Sequence, residues 1–405
     1  MSKIRIKNFG PIKEGYKQNN EWIEIKKVTV FVGNQGSGKS TVAKVISTLT
    51  WLEKAINRGD LRKDDISLSD FESFFKYQRI NNYFTKSTEI EYEGNAFHIK
   101  YNKNLRPPVI EISNYWGYEV PKIMYVPAER NFLTITKNPY IIKGLPETLE
   151  TFAVELRKGQ LQLNSETLPL PIGDVSYKYD KQTDNSFIIG DNYNVNVTES
   201  SSGYQSLIPL YLVTKFLIDE LFDEDVQLGV DQRLRRSIEM DNVMFDESLT
   251  PEQKASKINQ IKSKYINSCL INIVEEPELN LFPSSQWLLL KSLLGFNSLI
   301  KSNKLIMTTH SPYIINYLTL AVEADNLKKK IKTRELKEKL NDIVPDNATI
   351  KSSDLVIYEL DETTGIIKQL GTYNGLPLDD NYLNQNLAHT NDLFSQLLDI
   401  EDLCR

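Results

Sequence analysis

The stretch Gly33-Asn34-Gln35-Gly36-Ser37-Gly38-Lys39-Ser40 satisfies the pattern GxxxxGK[ST] at every fixed position. The residues on either side give it the context that pattern needs. Alternating β-branched and aromatic residues over 22–32 predict a strand running into the loop. Val42, Val45, Ile46, Leu49 and Leu52 recur at helical spacing and predict a helix over 40–56. Strand, glycine loop and helix together form a phosphate cradle. The glycines let the amides of Gly33, Asn34, Gln35, Gly36, Ser37 and Gly38 curl around phosphate oxygens, and the helix directs its positive end at them. Lys39 is then expected to reach the β- and γ-phosphates, Ser40 to offer its hydroxyl to Mg²⁺, and Thr41 to touch the α-phosphate.

Outward from the loop, 3–9 reads as a strand broken by Gly10-Pro11. Residues 57–120 are mixed, with helical character over 71–83 and short strands at 89–92, 97–101 and 109–112. They predict an antiparallel lobe beside the core. An apolar strand over 122–126 ends in Pro127-Ala128-Glu129-Arg130, and 131–198 is polar and reads as an insertion. A helix is predicted over 203–222, followed by a charged helical segment over 223–268 in which Thr250-Pro251 marks a helix start. A buried strand over 269–274, a helix from 284, a strand over 304–307 and a helix from 311 restore the alternation of a parallel sheet. A charged helix over 323–340, a hairpin over 355–370 turning at 362–365 and a last helix over 381–399 complete the chain. There is no fixed-period repeat and no heptad run long enough for an extended coiled coil.

A phosphate loop alone leaves kinases, GTPases, helicases and transport-type ATPases open. Ile271-Asn272-Ile273-Val274-Glu275-Glu276 narrows the choice, because a buried strand ending in two carboxylates suits a Walker B element beside the loop. Glu275 would hold Mg²⁺ through water. Glu276 faces differently and can polarise the attacking water as general base. Paired acids at a strand end are also common solvated caps, and only the loop upstream favours the catalytic reading. His310, in Thr308-Thr309-His310-Ser311-Pro312, falls just past the next strand and can contact the γ-phosphate, where a lone histidine is otherwise a helix cap or a satisfied buried imidazole. Ser201-Ser202-Gly203-Tyr204-Gln205 precedes an apolar helix and makes a second anion site from a hydroxyl, a glycine amide and a helix N-terminus. One chain cannot easily use both sites on one nucleotide. Asn303-Lys304-Leu305-Ile306 and Asn102-Lys103-Asn104-Leu105 both lack the aspartate of NKxD that reads guanine, so ATP is preferred to GTP.

The composition fits this reading. The 405 residues are 40% hydrophobic and 25% charged, ordinary for a globular chain with two or three cores. A formal charge of −6 gives no global cationic field toward nucleic acid or anionic lipid. Two cysteines, Cys269 and Cys404, and three histidines leave little from which to build a disulfide framework or a zinc site. The absence of an apolar run long enough for a bilayer makes a cytoplasmic protein the expectation.

With these residues in hand, the chain resembles the ABC-type ATPases of the SMC and recombination-repair branch. It is most similar to stand-alone ATPases of the overcoming-lysogenization-defect kind found in antiphage systems such as PARIS and Septu. The resemblance rests on IRIKNFGPI, GNQGSGKST, SSGYQ as signature, INIVEEPELNLFP as Walker B with D-loop, and TTHSP as switch histidine, and it covers roughly 1–56 and 200–320. It implies an α/β fold, a P-loop ABC-type ATPase head with a RecA-like parallel sheet, an antiparallel β lobe and a helical lobe. The corresponding division is 1–130 for the N-terminal ATPase lobe, 131–222 for the insertion and signature lobe, 223–268 for a charged helical insertion, 269–320 for the Walker B and switch-histidine core, and 321–405 for C-terminal helices and hairpin. It also implies a head-to-tail homodimer, or a higher homo-oligomer through the same interfaces, in which Ser202 and Gly203 of one subunit close over ATP held by Lys39 of the other. Catalysis then falls to Glu276, His310 and Lys39, and the metal to Ser40 and Glu275.

Three departures matter. Tyr204 replaces the second signature glycine, and a tyrosine disfavours positive φ, which would offset the contact with the partner's ATP. Glu275 stands where an aspartate is usual. No plain Q-loop glutamine follows Val126, leaving Glu129 or Arg130 for that sensing. Spacing adds a constraint: Lys39 to Gly203 is 164 residues (203 − 39), too few for an SMC arm, while the segment over 223–268 separates this chain from transporter ATPases.

The reading that follows is an ATP-driven switch or scaffold controlling a separate effector protein such as a nuclease, in antiphage defence and without a membrane. The alternative is a DNA-repair or nuclease-associated SMC-like ATPase acting on DNA. A nuclease site in cis would have to use Glu359, Asp361, Asp379 and Asp380, for which a solvated strand face is the plainer account. The basic clusters at Arg233, Arg235, Arg236 and over 328–334 are interleaved with acids or followed by them, as on a solvated helix surface. In the insertion, Ile238, Met240, Val243, Met244 and Phe245 form an apolar cluster that either docks a partner or packs on the chain itself, beside charges including Asp223, Glu224, Asp225, Glu239 and Asp241.

Overall fold

The computed structural model describes residues 2–113, 118–136, 142–164, 166–223 and 229–403. Cys404, and Glu224 and Asp225 of the insertion, lie outside the described residues.

Val28–Gly33 is buried throughout and sits near the centre of a seven-stranded sheet. The spatial order is Gly15–Tyr16, Ile366–Gln369, Leu355–Leu360, Val28–Gly33, Lys304–Thr309, Cys269–Glu275 and Pro121–Val126. The last five are mutually parallel, and Ile366–Gln369 folds back antiparallel as the return arm of a hairpin. Burial on both faces explains the nearly unbroken apolar runs. Alternation sends Val28, Val30 and Val32 into one core, with Met307, Val274 and the signature helix, and Phe31 into another, with Ile306, Ile273 and Tyr358. The helix after the loop, Lys39–Arg58, covers the second face through Val42, Val45, Ile46, Leu49 and Leu52.

The strand expected over 22–32 is two strands in two sheets. Ile23–Glu24 pairs antiparallel with Lys3–Phe9, and Val28–Gly33 joins the parallel sheet. Thr29 makes the break: its hydroxyl accepts from Lys26 N at 2.9 Å and donates to Lys26 O at 3.3 Å, closing a turn that a continuous strand would not permit. The antiparallel lobe runs Ile23–Glu24, Lys3–Phe9, Phe84–Glu93, Phe97–Asn102, Val109–Ile112. The helical character expected over 71–83 is a shorter helix, Leu68–Phe74, started by a Ser67–Asp70 capping box, and a separate turn at Asn81–Tyr83.

The polar stretch over 131–198 is more ordered than an insertion. It contains the helix Glu147–Gln162 and a four-stranded antiparallel sheet of Thr167–Pro169, Ser176–Asp180, Asn185–Ile189 and Asn194–Asn196. Leu149, Phe152, Ala153 and Leu156 bury one face of that helix against the same core as the signature helix, Ser202–Leu221.

The segment expected to be helical over 223–268 holds Val230–Met244 and Pro251–Tyr265, the second started by a Thr250–Gln253 capping box. Glu239 accepts from Lys264 Nζ and Tyr265 Oη, and Arg235 pairs with Asp60 at 3.1 Å beyond the end of the Lys39–Arg58 helix. The single charged helix expected over 323–340 is two, Pro312–Lys328 and Arg334–Ile343, the second capped by Thr333. The chain ends on the helix Tyr382–Leu403.

Candidate nucleotide site

Three parallel strands bring the candidate residues to one edge of the sheet. Gly33 ends the first, Glu275 the second and Thr309, with His310 directly after it, the third. Ligands of open α/β sheets collect at this carboxyl edge.

The crest of the loop, Asn34 to Gly36, is exposed, while Ser37, Lys39 and Thr41 are buried and Ser40 is half-buried in the first helical turn. Two glycines are required by position. Gly33 has φ +149° and a Cβ there would stand 2.4 Å from Leu360 O; Gly38 has φ +102° and its Cβ would meet Ile12 Cδ1 at 2.5 Å. A tether unforeseen in the sequence fastens the loop to the C-terminal hairpin: Asn34 Nδ2 donates to Glu362 Oε1 at 3.0 Å, and Tyr382 Oη donates to the same oxygen at 3.1 Å. The bond from Asn34 holds the Glu362 carboxyl below its usual range.

Lys39 is 5% exposed. Its Nζ donates to the Gly33 and Asn34 carbonyls at 2.9 and 2.8 Å, so it folds back on its own loop. Burial pulls its pKa down to about 8, against the carboxylates of Glu276, Glu278 and Glu275. His310 Nδ1 lies 3.5 Å from Lys39 Nζ, and His310 Nε2 lies 3.4 Å from Glu276 Oε1. All three residues expected to catalyse therefore form one contiguous cluster. Glu276 has φ +43°, and its N–H donates to Thr308 O at 2.9 Å. The bond to His310 holds its carboxyl below the usual range, which keeps it ionised and able to accept a proton.

Glu275 is buried beside it. Its Oε2 accepts from Ala128 N at 3.3 Å, and its Oε1 has no hydrogen-bond partner. An orphaned carboxylate oxygen at this edge fits a hard cation, and Ser40 in the first turn of the loop helix would be the second expected ligand. The Tyr125 phenol is pushed well above its usual range, by burial first and then by the Glu275 charge.

Glu278 was not singled out from the sequence, yet it fixes the histidine. Its Oε1 accepts from His310 N at 2.7 Å and from Thr309 Oγ1 at 2.8 Å, and burial raises its pKa. Arg130 was suspected only as a sensor. It is fully buried and donates to the carbonyls of Pro127, Glu275, Glu276 and Ser206.

Ser202 and Gly203 open the signature helix, Ser202 exposed and Gly203 half-buried. No hydrogen bond or ion pair among the described residues joins either to Lys39, Glu276 or His310. Asn280 Nδ2 donates to Ser206 Oγ at 2.9 Å, tying this helix to the segment after Glu278. Tyr204 needs no positive φ, since the position lies inside the helix, so the backbone strain expected from replacing glycine there is absent.

The C-terminal acids do not converge. Asp361 accepts from the N–H and hydroxyl groups of both Thr363 and Thr364, Glu359 accepts from Tyr382 N, and Asp380 accepts from Gln385 Nε2. Among the described residues no three His, Cys, Asp or Glu side chains cluster as metal ligands. In the later basic cluster, Lys328 pairs with Asp346, Lys329 with Asp325 and Arg334 with Glu338. No helix among the described residues is long and apolar enough to cross a membrane.

A family model described as an AAA ATPase domain matches residues 130–315, a little under half of the chain. The match spans the signature helix, both Walker B carboxylates and His310, and leaves the phosphate loop outside. No curated protein matches. Among solved structures, the SMC head domain from Thermotoga maritima is 11% identical with a TM-score of 0.38, covering 92% of this chain and 98% of that one. The Smc head domain with an extended coiled coil bound to the C-terminal domain of ScpA, derived from Pyrococcus furiosus, is 9% identical with a TM-score of 0.40, covering 97% and 100%. A dimeric ATP-binding cassette in a post-hydrolysis state, bound to ADP and Pi, is 12% identical with a TM-score of 0.29, covering 92% and 100%. The matched domain supports ATP hydrolysis by this chain, and the loop over 33–40 with the cluster of Lys39, Glu276 and His310 is its candidate site.

Proposed function

We propose that the chain is an ABC-type, SMC-like ATPase that works as a switch: two copies sandwich ATP head to tail, and the closing and opening of that dimer controls a separately encoded effector, as in antiphage defence. The observation that carries this reading is the division of the machinery within one molecule. Lys39, His310 and Glu276 form a single cluster, whereas Ser202 and Gly203 present a helix N-terminus to solvent without touching it. A second copy supplies the missing anion site to the γ-phosphate.

Within such a site the loop amides and Lys39 hold the phosphates, Glu276 accepts the proton of the attacking water, and His310 orients that carboxylate. Ser40 and Glu275 would hold a Mg²⁺ ion, which would supply charge neutralisation to the phosphates. Action on DNA finds less support, because three of the five basic residues over 328–334, Lys328, Lys329 and Arg334, are paired with carboxylates.

Mixing two inactive variants tests the shared site. Lys39→Ala and Ser202→Arg proteins each have two impaired composite sites, while a mixed dimer has one site with both lesions and one intact site. Recovered hydrolysis, approaching a quarter of wild type at equal mixing, supports the sandwich. No recovery, with subunit exchange demonstrated, overturns it.

A further inference from the structure

We propose that Arg130 is the positioning residue through which the seating of the signature helix sets the backbone of Glu276. This rests on the reading of Glu276 as base and of Ser202 and Gly203 as the partner's anion site.

The Arg130 side chain is 0% exposed, and its hydrogen-bond partners are carbonyl oxygens. Nη1 donates to Glu275 O and Nη2 to Glu276 O, each at 2.7 Å, while Nε donates to Ser206 O at 3.0 Å. A planar guanidinium fixes the mutual positions of the groups it forks between, which an ammonium on a flexible stem does not. The group therefore locks four carbonyls into one arrangement, two from the Walker B end, one from the first turns of the signature helix and that of Pro127, three residues before Arg130.

The segment it grips needs a brace. Glu276 has φ +43°, a conformation that a glutamate seldom adopts, and that turn directs its carboxylate to His310. Thr308 O accepts from Glu276 N on one side of the strand end, and Arg130 holds the carbonyls of Glu275 and Glu276. Burying a full charge costs free energy, and burial pulls the guanidinium pKa down to about 10, against the opposing pull of the carboxylates of Glu278, Glu276, Glu275 and Glu129. A purely structural link could be made by neutral side chains.

The signature end is equally well defined. Thr134 Oγ1 donates to Gln205 O at 2.9 Å, and a Cβ on Gly203 would stand 3.1 Å from Asn280 O, so little slack separates this helix from its neighbours. A displacement of its first turns moves Ser206 O, and the guanidinium carries the displacement to Glu276. In a head-to-tail dimer the two ends serve different nucleotides: Glu276 acts on the ATP held by its own subunit, and the signature grips the partner's. Arg130 then couples the two composite sites.

The test uses Arg130→Lys in the full chain, with hydrolysis and ATP affinity measured separately. The expected result is a fall in kcat of about 100-fold, the size of a misplaced general base, with ATP Kd within about twofold of wild type. In the Glu276→Gln background the same change should slow the residual hydrolysis by less than about twofold, because the two residues act as one unit. Wild-type kcat in Arg130→Lys, or loss of affinity in step with loss of rate, overturns the proposal. Amide hydrogen exchange on the wild-type protein gives an answer even if the variant fails to fold. On binding adenylyl imidodiphosphate, residues 202–206 and 275–278 should gain protection together; protection of 202–206 alone overturns the coupling. Failure of the underlying reading is separate, since Glu276→Gln would then hydrolyse ATP normally whatever Arg130→Lys does.

Discussion

The Nε2 atom of His310 stands 3.4 Å from Oε1 of Glu276. The other ring nitrogen, Nδ1, stands 3.5 Å from Lys39 Nζ, so one imidazole bridges the expected base and the phosphate-binding cation. Both neighbours of the ring are fixed independently, Lys39 by two loop carbonyls and Glu276 by Thr308 O and Arg130. Such a cluster makes separable predictions, because the proposed function gives each member a different part of the reaction.

Lys39→Ala should reduce ATP turnover at least about 100-fold, since the loop amides alone cannot neutralise the charge that develops on the β- and γ-phosphates. Steady-state phosphate release and fluorescent-nucleotide binding measure the two quantities. Unchanged affinity and turnover would remove the phosphate loop from the mechanism.

Glu276→Gln should retain ATP and lose hydrolysis by about 10²- to 10⁴-fold, because the carboxamide fills the same volume but does not accept the water's proton. Glu275→Gln should instead raise the Mg²⁺ concentration needed for half-maximal activity, since the orphaned Oε1 atom would be the oxygen that takes the cation. The opposite assignment of the two phenotypes would mean that the neighbouring carboxylates exchange roles.

ATP affinity should depend on pH through Lys39. Its pKa in the nucleotide-free protein is about 8, depressed by burial. Phosphate oxygens favour the charged form and raise that value on binding. Affinity is therefore constant below pH 8 and falls by about tenfold per pH unit above it until the raised bound-state value is reached. Above pH 8, binding takes up a proton. Titration calorimetry at pH 8.5 in two buffers of different ionisation enthalpy should give different apparent enthalpies. Equal enthalpies would mean that Lys39 is already charged before ATP arrives.

The sequence made legible those features whose cause is local. The glycine loop, the strand Lys3–Phe9 and the Thr250-Pro251 helix start each follow from a few consecutive residues, and each stands where the pattern puts it. Glu276 and His310 were legible because strand ends of a parallel sheet share an edge. The break at Thr29 was not, since period-two alternation continues through both strands and only a side-chain turn separates them. Nor was the Asn34–Glu362 tether, which joins residues from opposite ends of the chain. Arg130 and Glu278 look like ordinary charged residues in sequence, and burial against particular carbonyls and amides gives them their roles. The helix Glu147–Gln162 did carry a signal, with Leu149, Phe152, Ala153 and Leu156 at helical spacing inside an otherwise polar stretch.

The insertion offers the last prediction. Its apolar cluster is divided: Ile238, Met244 and Phe245 are 51, 54 and 79% exposed, while Met240 and Val243 are half-buried. Val230 and Leu234, four residues apart and four before Ile238, are also exposed and extend the same helical stripe. Self-packing would have covered these side chains, so the stripe favours docking of a second copy or an effector. Met244→Ser with Phe245→Ser should then leave folding stability within about 1 kcal/mol of wild type, as for other exposed positions, and leave ATP binding unchanged. The assembled mass by light scattering should fall, or the partner should no longer co-purify. A large drop in thermal stability with unchanged mass would instead make the two residues part of the fold, because only buried side chains stabilise the chain that carries them.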